Sequence, residues 1–165
     1  MDAKTRDLFS HEKKLFLLDG MALVYRAYFA MIRNPRVTSS GLNTSAVFGY
    51  VNTLMDIVQN QNPSHLAVVF DTPEPTHRHE EYTEYKAHRE AIPEDLATAL
   101  PYIDKMTEAF GIPCISCPGF EADDVIGTLA KAVGQTGVET YMVTPDKDYA
   151  QLVSDTVFIY KPGRM

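Results

Sequence analysis

Five short apolar segments, most of them flanked by acidic or turn-forming residues, constrain the fold of this chain most strongly. They are KLFLLDG at 14–20, HLAVVFDTPEP at 65–75, PCISC at 113–117, VETYMVTPDKD at 138–148 and DTVFIYKPG at 155–163. Short runs that are apolar almost throughout are typical of strands buried on both faces of a sheet. Segments with helical character separate them, at 21–32, 44–61, 92–111 and 121–135. We therefore predict a three-layer α/β/α fold with a mainly parallel central sheet.

Acidic residues stand at or soon after the end of the apolar run in four of these five segments. The set is Asp19, Asp71, Glu121, Asp123, Asp124, Asp146 and Asp148. Ligands of such sheets bind at the carboxyl ends of the strands, so we expect these side chains to converge on one edge. The chain has 22 acidic residues, and removing these seven leaves 15, which equals its 15 Lys and Arg residues. The whole net charge of −7 therefore belongs to this predicted site.

The clustered acids indicate a metal site. Any one of them alone could cap a helix or form a turn, and that interpretation stays open for each. Together, like charges raise one another's pKa or destabilise the fold unless a cation neutralises them. Mg²⁺ and Mn²⁺ prefer oxygen ligands, whereas zinc is disfavoured because no His or Cys lies among these acids. Seven carboxylates suffice for two ions, and two ions roughly 3.5–4 Å apart suit phosphodiester cleavage.

A second candidate site is the polar segment THRHEEYTEYKAHRE at 76–90. On a helix, one stripe would contain Arg78, Tyr82, Tyr85 and Arg89, with Lys86 beside it. Cations and aromatic rings in one stripe can contact phosphates and stack on bases. Glutamates in the same segment cancel the cations, so a solvated helix with ion pairs remains the alternative.

Composition adds three expectations. No apolar stretch approaches the roughly 20 residues of a membrane span, and the polar residues 1–13 do not resemble a signal peptide. We therefore expect a cytoplasmic protein without a membrane partner. Cys114 and Cys117 form a C-x-x-C pattern that lies in a strand and loop, without the further ligands that zinc requires, so we expect reduced, inert thiols.

Several motifs, in this order, resemble the 5′-nuclease family, which includes the N-terminal 5′–3′ exonuclease domain of bacterial DNA polymerase I, flap endonucleases and PIN-like nucleases. They are FLLDG, GLNTSAVFGYVNTL, VVFD, YKAHR, PGFEADDVIGTLA and VTPDKDYAQLV, and they cover about residues 14–161. The resemblance implies a PIN-like, resolvase-like fold with a helical arch insertion. It also implies Mg²⁺- or Mn²⁺-dependent hydrolysis of DNA that carries 5′ ends or flaps.

The resemblance also assigns roles to individual residues. It implies a first metal held by Asp19, Asp71, Glu121, Asp123 and Asp124, and a second metal held by Asp146 and Asp148. It implies that Lys86 and Arg89, in the arch, act at the scissile phosphate. It further implies substrate contacts for Tyr25 and Arg26, beside the DNA contacts already expected of Arg78, Tyr82 and Tyr85.

The resemblance divides the chain into an N-terminal extension, residues 1–13, and a catalytic domain, residues 14–165. The family pattern continues with a Gly-Asp segment that carries further second-metal acids, and then with a helix-hairpin-helix module. We therefore expect this chain to be the catalytic part of a larger nuclease, covalently continuous with a polymerase that acts in replication and repair. Its own activity is expected to be impaired.

Three alternatives remain open from the sequence. A phospho-receiver domain would use Asp71 as acceptor, with Thr144 and Lys161 after the fourth and fifth strands. A non-catalytic nucleic-acid-binding module could keep the same fold. A PIN-type ribonuclease would share the metal site and differ in preferring RNA.

Overall fold

The computed structural model describes residues 13–76, 78 and 91–163, which form a single sheet of five parallel strands between helices. The strands are β1 (Lys14–Asp19), β2 (His65–Val69), β3 (Cys114–Ile115), β4 (Glu139–Val143) and β5 (Val157–Tyr160). Their order across the sheet is β3-β2-β1-β4-β5. Strand β1 pairs with both β2 and β4. Strands β2 and β3 lie on one side of β1, and the chain then crosses to place β4 and β5 on the other side. The carboxyl end of β1 is therefore the topological switch point, where ligands of such sheets bind.

Four α-helices cover the sheet in the described part of the chain. They are α1 (Gly20–Ala30), α2 (Ser45–Asp56), α3 (Glu94–Ala109) and α4 (Ala122–Gly134). A π-helical turn, Ile57–Gln61, extends α2, and a 3-10 turn, Asp148–Leu152, follows β4. Because successive side chains of a strand point to opposite faces, each strand contributes to two cores.

The two cores lie on opposite faces of the sheet. Phe16 and Leu18 of β1 pack with α1, α2 and α3, where Tyr50 is fully buried. Leu17, between them in sequence, packs with α4, where Ile126 is fully buried. Apolar side chains thus cover both faces of the sheet. Polar functional groups are therefore expected at the carboxyl edge of the sheet.

The predicted three-layer α/β/α fold is confirmed, and its sheet is entirely parallel in the described residues. Strand β3 has two residues where the sequence suggested five, since it pairs with β2 alone and lies between Pro113 and Pro118. The predicted arch cannot be compared, because residues 77 and 79–90 lie outside the described residues. Cys114 and Cys117 are both free in the structure. Within the described ranges, no helix is long and apolar enough to cross a membrane.

Candidate metal centre

The structure brings the seven predicted acids together at the carboxyl edge of the sheet. A cavity of about 840 Å³ is lined by Asp19, Asp71, Glu121, Asp123 and Asp146. An adjoining cavity of about 360 Å³ is lined by Asp123, Asp124, Asp146 and Asp148. Asp123 and Asp146 line both cavities, so the two spaces adjoin at these carboxylates.

Asp19 is the last residue of β1 and the N-cap of α1. Its Oδ1 accepts a hydrogen bond from the backbone N–H of Ala22 at 3.1 Å. Its Oδ2 faces two hydroxyl donors, Thr144 Oγ1 at 3.2 Å and the phenol of Tyr149 at 3.3 Å. Burial raises the pKa of Asp19, and the nearby charge of Asp71 raises it further, although the hydrogen bonds oppose this shift. The capping interpretation holds for Asp19, and its carboxylate also lines the larger cavity.

Asp71 follows β2 and reaches across to the next helix. Its Oδ1 accepts from the backbone N–H of Ala122 at 2.8 Å, at the start of α4. The first N–H groups of a helix have no partner within the helix, so this bond satisfies one of them. The same carboxylate lines the larger cavity. Asp71 thus fixes the N-terminus of α4 to the carboxyl end of β2.

The acids at the start of α4 receive a positive charge from Arg78. Its guanidinium lies 2.7 Å from Glu121 Oε2, 2.6 Å from Asp124 Oδ1 and 3.5 Å from Asp123 Oδ1. Glu121 and Asp124 also form a reciprocal capping box, in which Asp124 Oδ2 accepts from the N–H of Glu121 at 3.2 Å. Glu121 is only 5% exposed, so its charge needs a close partner. The sequence indicated a cation here, and the structure supplies a guanidinium.

Asp146 and Asp148 lie in the turn after β4. Thr144 Oγ1 accepts from the N–H of Asp146 at 3.2 Å, and Asp146 Oδ1 accepts from the N–H of Asp148 at 2.9 Å. Both side chains are exposed. The side chains of Thr144 and Asp146 thus hold the backbone of the turn by hydrogen bonds. The carboxylates of Asp146 and Asp148 both line the smaller cavity.

The chemistry of this donor set fits a hard divalent cation. Its ligand atoms are carboxylate oxygens, and a guanidinium already occupies part of it. Thr72 Oγ1, in the wall of the larger cavity, is buried without a hydrogen-bond partner among the described residues. As the side chains stand, no group of three His, Cys, Asp or Glu within residues 13–76, 78 and 91–163 is arranged to hold an ion directly. Mg²⁺ keeps several of its waters in proteins and is usually held by one or two carboxylates.

Three residues expected to contact substrate have different surroundings in the structure. Tyr25 lines the larger cavity beside Phe29, with their rings stacked at 6.1 Å between centroids. Arg26 instead donates to the backbone carbonyls of Pro162, at 3.0 Å, and Gly163. It therefore ties the segment after β5 to α1. Arg78 contacts the acids at the start of α4, and the stripe predicted for it includes residues that lie outside the described ranges.

The remaining predicted residues, Tyr82, Tyr85, Lys86 and Arg89, lie outside the described residues. Two contributors were missed by sequence reasoning. Thr144 was considered only for a phospho-receiver, and Tyr149 was not considered at all. The one available signal was position, because both flank the Asp146–Asp148 turn. Their contacts with Asp19 join residues 125 and 130 positions apart, which no local pattern reveals.

The chain matches the family model for the 5′-3′ exonuclease, N-terminal resolvase-like domain, over residues 14–165. The chain belongs to this family. A 5′-3′ exonuclease of Aquifex aeolicus (strain VF5) is 40% identical over 150 residues, which are 91% of this chain and 51% of that protein. DNA polymerase I of Synechocystis sp. is 41% identical over 143 residues, which are 85% of this chain and 14% of the polymerase.

A solved structure supports the fold. It is that of the bacteriophage T5 D15 flap endonuclease in a pseudo-enzyme-product complex with DNA and metal ions. It matches with a TM-score of 0.63 at 20% sequence identity, covering 90% of this chain and 55% of that chain. At this identity the likeness shows a shared fold. The chain thus spans about half the length of the Aquifex exonuclease and a smaller share of the polymerase.

Proposed function

We propose that this chain is the catalytic part of a metal-dependent 5′–3′ exonuclease or structure-specific flap endonuclease that hydrolyses phosphodiesters of DNA. The observation that carries the proposal is the convergence of acids from β1, β2, α4 and the turn after β4 on one sheet edge. Membership of the 5′-3′ exonuclease family supports it. The T5 structure, which contains DNA and metal ions, supports both the cofactor and the substrate.

In this proposal the acids divide into two ligand groups for Mg²⁺ or Mn²⁺. The first ion is served by Asp19, Asp71, Glu121, Asp123 and Asp124, and the second by Asp146 and Asp148. When bound, two such ions stabilise the attacking and leaving oxygens of the phosphodiester. The protein holds its ligands in advance, because Asp19 and Asp71 are fixed by bonds to the first turns of α1 and α4. Glu121 and Asp124 must exchange the guanidinium of Arg78 for the ion.

The substrate is proposed to approach over the larger cavity. Its wall beside the acids is apolar and aromatic, with Tyr25, Phe29, Ile32 and Ile92. Aromatic faces next to carboxylate-bound ions would stack a base while the phosphate lies at the metals. In this proposal Arg78, once exchanged for the ion, contacts a phosphate of the substrate. The roles of Lys86 and Arg89 at the scissile phosphate, and of Tyr82 and Tyr85 in DNA binding, remain predictions.

The relatives include both a separate exonuclease and polymerases. We propose that this chain serves replication and repair as the N-terminal part of a DNA polymerase I. A separate exonuclease is the alternative. The coding sequence that follows Met165 distinguishes them, because a polymerase requires several hundred further codons in frame.

The phospho-receiver alternative is disfavoured by the sheet. Receiver domains have the flavodoxin-like strand order 2-1-3-4-5, whereas this sheet has the order β3-β2-β1-β4-β5.

The function is tested with a matched pair of substitutions at Asp71. Asp71→Asn keeps a carbonyl oxygen that can accept from the N–H of Ala122 and removes the charge. We expect its thermal midpoint in EDTA to be unchanged or higher, because repulsion falls, and its Mn²⁺ affinity to be about tenfold or more weaker. Asp71→Ala loses the backbone bond as well, so we expect a further loss of roughly 1–3 kcal/mol in unfolding free energy.

Calorimetric Mn²⁺ titration, thermal denaturation in EDTA and cleavage of 5′-flap DNA measure these effects. A wild-type chain that takes up no Mn²⁺ at millimolar concentration would contradict the proposed function. Equal Mn²⁺ affinity in Asp71→Asn would remove Asp71 from the ligand set. RNA cleaved faster than flap DNA would favour a PIN-type ribonuclease.

A further inference from the structure

Tyr149 lies between the two acidic cavities. It is in the 3-10 turn Asp148–Leu152, it is 4% exposed, and it lines both spaces. It belongs to the buried apolar cluster between the sheet and α4, which also contains Leu17 and Ile126. Its hydroxyl lies 3.3 Å from Asp19 Oδ2.

The phenol of Tyr149 is a hydrogen-bond donor to Asp19, since its O–H points to Oδ2 of that carboxylate. A neutral O–H can donate to a carboxylate, and it adds no charge that would compete with a metal ion.

The hydrogen bonds to Asp19 leave one acceptor position free. Each carboxylate oxygen has two lone pairs. Thr144 and Tyr149 both donate to Oδ2, and the N–H of Ala22 takes one position of Oδ1. One lone pair of Oδ1 remains, so the carboxylate can offer a ligand position without breaking any bond that holds it.

We propose that Tyr149 is a positioning residue for Asp19, whose hydroxyl fixes the carboxylate so that Oδ1 is presented to a divalent cation. The inference rests on the proposed function, since it requires Asp19 to be a ligand. Groups that hold a metal ligand in place typically contribute about 10–100-fold in metal affinity. The hydroxyl bond here is long, at 3.3 Å, so we expect the lower end of that range.

The test is Tyr149→Phe, which removes the hydroxyl and keeps the ring that fills the core. We expect the Kd for Mn²⁺, measured by calorimetry on the metal-free chain, to rise by about tenfold. The thermal midpoint in EDTA should stay close to that of the wild type, because the packing is retained. Thr144→Val removes the other donor to the same oxygen and should also weaken Mn²⁺ binding.

Tyr160→Phe is the matched control. It also removes a phenol that donates to a carboxylate, Asp56 Oδ2 at 3.2 Å, but Tyr160 lines neither acidic cavity. Its Mn²⁺ affinity should equal that of the wild type.

If the wild type binds Mn²⁺ and Tyr149→Phe binds it equally well, the positioning role is wrong while the metal site stands. If Tyr149→Phe and Tyr160→Phe weaken binding alike, the effect is general and the role of Tyr149 is also wrong. If the wild type itself binds no Mn²⁺, the proposed function fails before Tyr149 is tested.

Discussion

At the scale of single residues, several carboxylates of the site serve the fold as well as the proposed chemistry. Asp19 caps α1, Asp71 satisfies the first turn of α4, and Glu121 forms a capping box with Asp124. Sequence reasoning treated capping and metal binding as alternatives. The structure shows that one carboxylate can do the first and leave an oxygen position for the second, because each oxygen accepts two bonds.

Replacing Arg78 should have opposite effects on stability and on Mn²⁺ affinity. Its guanidinium is about a third exposed and contacts three carboxylates, of which Glu121 is buried. Arg78→Gln should therefore lower the unfolding free energy in EDTA by roughly 1–3 kcal/mol, since Glu121 and Asp124 lose a charged partner. The same change should tighten Mn²⁺ binding, because the ion no longer competes with the guanidinium.

Thermal denaturation in EDTA and calorimetric Mn²⁺ titration measure the two effects of Arg78→Gln. Arg36→Gln is the control, since the Arg36 guanidinium lies over the ring of Phe48 at 3.9 Å and contacts none of the site acids in the described contacts. Unchanged Mn²⁺ affinity in Arg78→Gln would show that the ion and the guanidinium do not share these carboxylates.

For single residues, the sequence predicted the acids of the site but not the partners of those acids. The acids could be predicted because each stands at the end of a recognisable strand or helix. The partners of those acids could not, because Thr144 and Tyr149 meet Asp19 across the fold. Helical periodicity predicted a DNA-binding stripe that includes Arg78, and this stays a prediction. Periodicity could not predict the contacts of Arg78 with Glu121, Asp123 and Asp124, because those residues lie 43 to 46 positions along the chain.

At the scale of elements, the site depends on the junction of β1 and α1, which has no loop. Asp19 ends the strand and Gly20 begins the helix. A Cβ at Gly20 would lie 2.3–2.7 Å from ring atoms of Phe70, the residue before Asp71. The absence of a side chain at Gly20 therefore lets the ends of β1 and β2 approach each other, and with them Asp19 and Asp71.

Gly20→Ala is accordingly expected to be destabilising and to weaken the site. The ring of Phe70 must move, at a cost of roughly 1–3 kcal/mol for overpacking, and Asp71 moves with it. Unfolding in urea should show the loss, and calorimetry should show weaker Mn²⁺ binding.

Gly127→Ala, within α4, is the matched control for Gly20→Ala. Its added Cβ meets only the end of the Leu152 side chain, at 3.1 Å. Alanine also favours a helix over glycine by up to about 1 kcal/mol, so we expect no net loss. Equal effects of the two substitutions would show that the β1–α1 junction has no special role.

Element types were predicted more reliably than element bounds. The five strands were visible as apolar runs, yet β3 is shorter than its run because only β2 supports it. The helix predicted at 44–61 is α-helical as far as Asp56 and then continues as a π-helical turn to Gln61, after which Asn62 adopts a positive φ of 50°. Such ends are decided by packing and by backbone hydrogen bonds, to which local sequence is a weak guide.

At the scale of the whole molecule, the residues that carry the net charge are different from those that stabilise the fold. The apolar cores on both faces of the sheet account for folding, whereas the acids at the carboxyl edge hold the whole net charge of −7. DNA is a polyanion, so an acidic surface repels it until cations are bound. Divalent ions can neutralise the site itself, but a stable grip on duplex DNA requires further cations, which this chain does not have in excess.

The last prediction is that the 165-residue chain folds and binds Mn²⁺ but cleaves 5′-flap DNA slowly. It should unfold cooperatively, since both faces of the sheet are covered by helices and sealed by buried apolar residues. Cleavage should suffer because a loosely held substrate is rarely in line with the attacking water. Lower salt should partly restore binding, because phosphate contacts weaken as salt rises.

The Aquifex exonuclease provides the comparison, since this chain aligns with 51% of it. That enzyme should be assayed at full length and as the half that aligns with this chain, beside the chain itself. We expect the half and this chain to share a rate at least tenfold below that of the full-length enzyme, with most of the loss in DNA affinity. A half that cleaves as fast as the whole would show that residues outside the aligned region are dispensable, and the need for an additional DNA-binding part would be wrong.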